Sequence, residues 1–257
     1  MTWLRSILVI YLSRLLHHDR TPVRQSLIKL HNPSVNQAAT HSQVVTANHQ
    51  DRSMGSITAS TTAEPILRVA AISGSLRSNS WHVGLIRAAE ELCEEFIPGL
   101  RIDHVDISDL PMANPDLETD GGDGFPPAVE AFRDRITTAD CFLFASPEYN
   151  YSVTGSLKNA LDWASRGTHK CWADKAAAIV CAGGDFGGGR ASLHLREIGI
   201  YLDLHFINKP ELHIRAYEDP PKFDGEGNLV DAKARERLKK VLLSLQAFAL
   251  RLQHKEN

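Results

Sequence analysis

Two short polar stretches hold most of the side chains with chemical capacity. Gly74, Ser75, Arg77, Ser78 and Ser80 follow an apolar run at 66–72, and Pro147, Glu148, Tyr149, Asn150, Tyr151 and Ser152 follow another at 141–145. The first stretch offers hydroxyl donors and a guanidinium fork suited to a phosphate monoester, and Gly74 leaves the backbone free to come close. A helix beginning just beyond it adds unpaired N–H groups and a positive dipole end. The same residues also suit an ordinary strand-to-helix turn with an N-cap, and residues 147–150 alone suit a plain chain reversal. Their joint placement says more. Each stretch lies at the carboxyl end of an expected buried strand, and ligands of open α/β sheets collect at that edge, where the strand order reverses. The pair points to a planar cofactor bearing a phosphate, FMN. A third loop, 182–189, brings Ala182, Gly183 and further glycines, which let backbone N–H groups face a flat ligand.

Several other chemistries lack their signatures. No Walker A loop, no G-x-G-x-x-G fingerprint, no G-x-S-x-G elbow and no H-E-x-x-H occurs in the chain. Twelve scattered histidines give no ligand spacing, so no metal is expected, and no residue is assigned as a catalytic acid or base. His194 and Tyr149 are conceivable proton carriers, with a packed or interface role favoured for His194. Cys93, Cys141, Cys171 and Cys181 form no C-x-x-C pair and read as buried thiols of a reducing compartment. Before Ala63 there are six basic and two acidic residues. Removing these from totals of 28 and 31 leaves the remainder at −7. An acidic body without a basic stripe argues against nucleic acid as partner.

The elements that must position these loops follow from periodicity. With 43% apolar and 23% charged residues, the chain has the composition of a globular protein. Apolar runs at 66–72, 100–107, 141–145, 176–181 and 204–207 read as strands. Between and after them, apolar residues recur at helical spacing: Val83, Ile86, Ala89 and Cys93; Val129, Phe132 and Ile136; Leu157, Ala160 and Leu161; residues 190–201; and Leu238, Val241, Leu242 and Leu245. Residues 110–127, with their prolines and Gly-Gly-Asp-Gly run, read as loop. Five β-α units with near-continuous apolar strands imply a doubly wound parallel sheet, order 2-1-3-4-5, covered by helices on both faces. Trp163 and Trp172 have two readings, ligand contact or core. The spacing of Trp163 with Ala160 and Leu161 favours core or a subunit contact.

Residues 1–63 differ from the rest. The apolar run at 7–12 is interrupted by Arg14, well short of the ~20 residues of a spanning helix, and residues 32–62 are polar. A secretory signal, an organelle transit peptide and sequence upstream of a start at Met54 compete for this leader. The only N-x-[ST] acceptor without proline is Asn150-Tyr151-Ser152, inside the proposed cofactor loop, which argues against secretion. The expectation is a cytosolic protein, with organelle targeting by residues 1–53 left open and one domain at 64–257.

Three segments carry a resemblance to a known family. GSLRSNS at 74–80, ASPEYNYSVTGSLKNALDWASR at 145–166 and GGGR followed by HLR at 187–196 resemble the NADPH-dependent FMN reductases, with near-continuous similarity over residues 66–253. The resemblance implies a flavodoxin-like fold, FMN, NADPH or NADH as hydride donor, a quinone as acceptor, and a homodimer or homotetramer. It places Ser75, Arg77 and Ser80 at the FMN phosphate. Pro147, Glu148, Tyr149 and Asn150 wrap the ring, with Ala182 and Gly183 at its edge. The implied reaction is ping-pong: hydride passes from the nicotinamide to the flavin N5, and two electrons then pass to the quinone. The leader has no counterpart in the family. The rival reading is a flavodoxin-type one-electron carrier without nicotinamide turnover, and a second is a scaffold protein that has lost the flavin. Flavodoxins enclose the ring between aromatics. Here the ring loop offers Tyr149 and Tyr151, and nothing comparable is expected from the 183–189 loop, which leaves one face open.

Overall fold

The computed structural model describes residues 66–254. The leader at 1–63, with every reading placed on it, lies outside the described residues. Strand β1 (Leu67–Ser73) leads to helix α1 (Trp81–Phe96) and strand β2 (Leu100–His104). After two short 3-10 turns within 115–122 come α2 (Pro127–Thr137), β3 (Cys141–Ser146) and α3 (Gly155–Ser165). The chain continues through β4 (Lys175–Gly183), α4 (Gly189–Tyr201), β5 (Leu204–Phe206), β6 (Leu212–Arg215) and α5 (Ala232–Gln253).

All strand pairings are parallel, in the order β2-β1-β3-β4-β5. The sixth strand is an addition to the expected five. β5 pairs with the first part of β4, from Lys175 to Ala177, and β6 pairs with its last part, from Val180 to Gly183. The fifth place in the sheet is thus filled by two segments with 207–211 between them. β6 has only four residues, too short a run to stand out from loop by periodicity.

Both faces of the sheet are covered, which is why its strands are apolar without alternation. Val69, Ala71, Leu143, Ala145, Ala178 and Val180 pack on the α1 and α5 side with Leu85, Ala89, Leu238 and Leu242. Ala70, Ile72, Phe142, Phe144, Ala177 and Ile179 face Phe132, Ile136, Leu157, Leu161 and Leu195 of α2, α3 and α4. Trp172 belongs to that second layer, its ring 4.9 Å from Phe142. Trp163 lies beside Phe125 and donates its Nε1 hydrogen to the Pro111 carbonyl at 2.7 Å. Both tryptophans are buried in the core, as the spacing of Trp163 favoured. All four cysteines are free and buried. Burial pushes the thiols of Cys93 and Cys181 up to about 12 and raises that of Cys141 as well.

Among the described residues, no helix is long and apolar enough to cross a membrane. The chain turns back from β2 to α2 and enters β3 on the far side of β1. The carboxyl ends of β1 and β3 are therefore adjacent, with Ser73 paired to Ala145. The loops after these two strands meet there.

Candidate active site

A cleft of about 170 Å³ opens at that switch point. Ser75, Arg77 and Ser80 line it from the first loop, Pro147, Glu148 and Tyr149 from the second, and Ala182 and Gly183 from the third. Gly74 and Asn150 serve the loops and are not part of the lining. Three loops separated by up to about a hundred residues thus converge on one place, as their positions along the sequence require.

The first loop is held rigidly. Gly74 donates its N–H to the Ala145 carbonyl at 2.8 Å, and its own carbonyl accepts from the hydroxyls of Thr154 at 2.6 Å and Ser156 at 2.9 Å. A Cβ on Gly74 would lie 3.1 Å from Pro147 Cδ and 3.2 Å from Thr154 Oγ1. The glycine thus lets the two loops touch each other, a different service from the ligand approach expected of it. Ser80 is the N-cap of α1, its Oγ accepting from the His82 N–H at 3.1 Å. Ser75 Oγ similarly accepts from the Arg77 N–H at 3.4 Å. Each hydroxyl accepts one backbone hydrogen and keeps its own hydrogen as a donor, and Ser80 Oγ also lies 3.5 Å from His82 Nδ1. Arg77 is exposed and makes no ion pair among the described residues. Hydroxyl donors, a helix N-terminus and an uncommitted guanidinium form a donor set matched to a phosphate.

The second loop makes a tight reversal. Tyr149 and Ser152 exchange both backbone hydrogen bonds at 3.0 Å, and Asn150 and Tyr151 between them have φ of 50° and 68°. Two successive left-handed residues are the signature of a type I′ turn, where tyrosine is unusual and held at some cost in strain. Glu148 faces two ways. It lines the cleft, while its carboxylate accepts from the Arg190 N–H at 2.8 Å and the Ala191 N–H at 3.4 Å, and pairs with the Arg190 guanidinium at 3.3 Å. The N-cap of α4 is Gly188, which has no side chain to cap with, so Glu148 closes that helix end from another loop. The Arg190 guanidinium also lies 3.9 Å from the Tyr151 ring and 3.8 Å from the Phe186 ring. Phe186 is the aromatic of the 183–189 loop. It packs on Arg190 and does not line the cleft. His194 Nδ1 lies 3.0 Å from Ser152 Oγ and ties α4 to the second loop, a packing role.

Gly184 joins the lining as one of the third loop's expected glycines, and three further lining residues were not anticipated: Trp81, His82 and Tyr217. Trp81 stacks on Phe223 at 5.4 Å and meets Tyr217 edge-on at 5.1 Å, which gives the cleft an aromatic wall. His82 is buried, with Nε2 3.1 Å from the Ala182 carbonyl and 3.2 Å from its nitrogen. Burial holds it neutral, its pKa lowered to about 4. An added Cβ at Gly184 meets nothing within 4 Å, so the third loop presents open backbone toward the cleft, as a flat ligand requires. Trp81 and His82 directly follow Ser80 in sequence and were visible there as its neighbours. Tyr217 comes after the unexpected β6 and needed the fold to be found.

Comparison with known proteins agrees with this geometry. The chain is 70% identical over 194 residues to the probable NADPH:quinone oxidoreductase 1 of Oryza sativa subsp. japonica, covering 76% of this chain and 98% of that protein. It is 62% identical over 195 residues to an NADPH:quinone oxidoreductase of Arabidopsis thaliana, again covering 76% and 98%. Among solved structures it resembles the flavoenzyme NAD(P)H:(acceptor) oxidoreductase FerB of Paracoccus denitrificans, with a TM-score of 0.63 and 29% identity over 72% of this chain and 98% of that one. Residues 67–219 match the family described as NADPH-dependent FMN reductase, and with the whole sheet and all three cleft loops inside that span, the chain belongs to this family.

Proposed function

We propose that the protein is an FMN-dependent NAD(P)H:quinone oxidoreductase. The observation that carries the reading is one cleft lined at once by a phosphate-type donor set and by an open, glycine-bearing ring loop. Ser75, Arg77 and Ser80 hold the FMN phosphate, with Gly74 fixing their loop. Pro147, Glu148, Tyr149 and Asn150 shape the ring seat, and Ala182 and Gly183 face its edge. Held by these residues, FMN would supply the two-electron hydride chemistry that links the nicotinamide donor to the quinone acceptor. The protein's own part is to orient the ring and leave one face open to both substrates in turn.

The enzyme works as a homo-oligomer in the cytosol. In support, Leu193, Ile200 and Tyr201 of α4 are 65%, 81% and 87% exposed, and Tyr151 and Phe186, which pack on Arg190 at the start of that helix, are exposed as well. An apolar patch of this kind on one helix and its neighbouring loops is suited to a second copy. The test is to purify the protein, read its flavin spectrum, weigh it by light scattering and follow NAD(P)H oxidation with and without a benzoquinone. A yellow dimer or tetramer producing hydroquinone with no cytochrome c reduction sensitive to superoxide dismutase is expected. A colourless protein, or one-electron products, would overturn the reading.

A further inference from the structure

Under the cofactor cleft lies a buried side chain to which the proposed reaction gives no part. His82, the second residue of α1, is almost wholly buried yet reaches the cleft lining. Its ring meets two of the three cleft loops. Nδ1 lies 3.5 Å from Ser80 Oγ at the phosphate seat. Nε2 lies 3.1 Å from the carbonyl oxygen and 3.2 Å from the nitrogen of Ala182, a hundred residues further on. Ala182 comes directly after Cys181, the last residue of β4 paired with β3, so the imidazole meets its peptide groups where that ladder ends. Burial keeps the ring neutral, so one hydrogen serves two nitrogens and their roles are opposite.

Two arrangements follow. With the hydrogen on Nε2, the ring donates to the Ala182 carbonyl and Nδ1 takes the Ser80 hydroxyl hydrogen. With it on Nδ1, the ring donates to Ser80 Oγ, Nε2 accepts from the Ala182 N–H, and the Ser80 hydrogen is released toward the cleft. Ser80 Oγ then has both lone pairs filled, by Nδ1–H and by the His82 backbone N–H at 3.1 Å, and acts only as a donor. An ionised phosphate oxygen, which can only accept, bonds to that hydroxyl in the second arrangement alone. We infer that His82 is a positioning residue whose tautomer couples the phosphate seat to the backbone at the ring edge: phosphate selects Nδ1–H, which frees the Ala182 carbonyl and engages its N–H. The proton balance is closed, since the hydrogen lost at Nε2 is gained at Nδ1 and the ring stays neutral. Without phosphate the opposite form is preferred, because Ala182 is buried and Nε2–H is a donor for its carbonyl. The inference rests on the proposed reading of this cleft as the flavin site.

The test reads the tautomer directly, by long-range proton–nitrogen NMR of the full chain carrying isotope-labelled histidine, the His82 signals being those lost in His82→Gln or His82→Asn. Flavin-free protein and protein with riboflavin should show Nε2–H, and inorganic phosphate or FMN should convert it to Nδ1–H. One tautomer throughout would overturn the inference. Binding measurements separate the two arms of the ring. His82→Gln leaves an amide that reaches Ala182 but not Ser80, and His82→Asn leaves one that stands in for Nδ1 and reaches Ser80 but not Ala182. His82→Gln should narrow the preference for FMN over riboflavin roughly three- to tenfold, the worth of one neutral hydrogen bond, while His82→Asn keeps it. Adding Ser80→Ala to His82→Gln should narrow it no further than Ser80→Ala does alone, as for two residues acting through one bond. An unchanged preference in His82→Gln, or losses that add, would reduce His82 to packing. Conversion by inorganic phosphate in a chain that binds no FMN would refute the proposed function and keep the coupling. Tight FMN binding with an unmoved tautomer would refute the coupling alone.

Discussion

His82 gives the sharpest quantitative expectation. It sits 3% exposed beneath the cofactor cleft, and its pKa falls from 6.5 to about 4 because burial disfavours the imidazolium. As pH falls below 6.5 the unfolded chain takes up a proton that the folded chain refuses, so stability drops through the window from 6.5 down to about 4. The full difference amounts to roughly 3 kcal/mol, of which about 2 kcal/mol is lost by pH 5. Burial also lowers His104 and His213, which add losses of the same sign. A His82→Gln variant isolates the one residue. The amide reaches toward Ala182 as Nε2 does but stays neutral throughout. Urea unfolding of the flavin-free protein at pH 7 and pH 5 is the assay, since the FMN phosphate itself titrates near pH 6. The change in stability between the two pH values should be about 2 kcal/mol smaller in the variant, or about 1 M in urea midpoint. Parallel curves for the two proteins would show that His82 does not resist protonation and would refute the argument from burial.

Three other outcomes are expected. Arg77→Ala should weaken FMN binding roughly ten- to a hundredfold, the worth of one charge-assisted bond, and leave riboflavin binding nearly unchanged in a fluorescence titration; equal loss for both flavins would show that the loop does not read phosphate. Glu148→Ala removes the cap of α4 and should cost about 2 kcal/mol in urea unfolding, with Glu148→Gln recovering part of it; an unchanged midpoint would mean that the helix end is satisfied in another way. A chain beginning at Met54 should fold, bind FMN and keep full activity, because β1 starts only at Leu67, and a flavin-free or insoluble product would place the domain boundary wrongly.

The sheet was legible because its strands are buried on both faces, and runs such as Cys141 to Ala145 leave little room for another reading. The two main loops were legible for the same reason, as polar residues stacked at the ends of such strands. β6 was not, since four residues between a proline-containing turn and a polar loop carry no period of their own. The double service of Glu148 was hidden because the helix it caps begins forty residues further on. Phe186 was plain in the sequence, but its engagement with Arg190 depends on a contact that only the folded loops create. The aromatic wall of Trp81, Tyr217 and Phe223 likewise joins segments far apart along the chain.

The concealment of the four thiols acquires a meaning once the proposed substrates are considered. Quinones are electrophiles that add to thiolates, so an enzyme that concentrates them at its surface risks arylating itself with each turnover. Here every cysteine is removed from solvent, and the thiols of Cys93, Cys141 and Cys181 are held in the unreactive protonated form far above physiological pH. The packing that builds the two core layers therefore also makes the catalyst chemically resistant to the compounds it disarms.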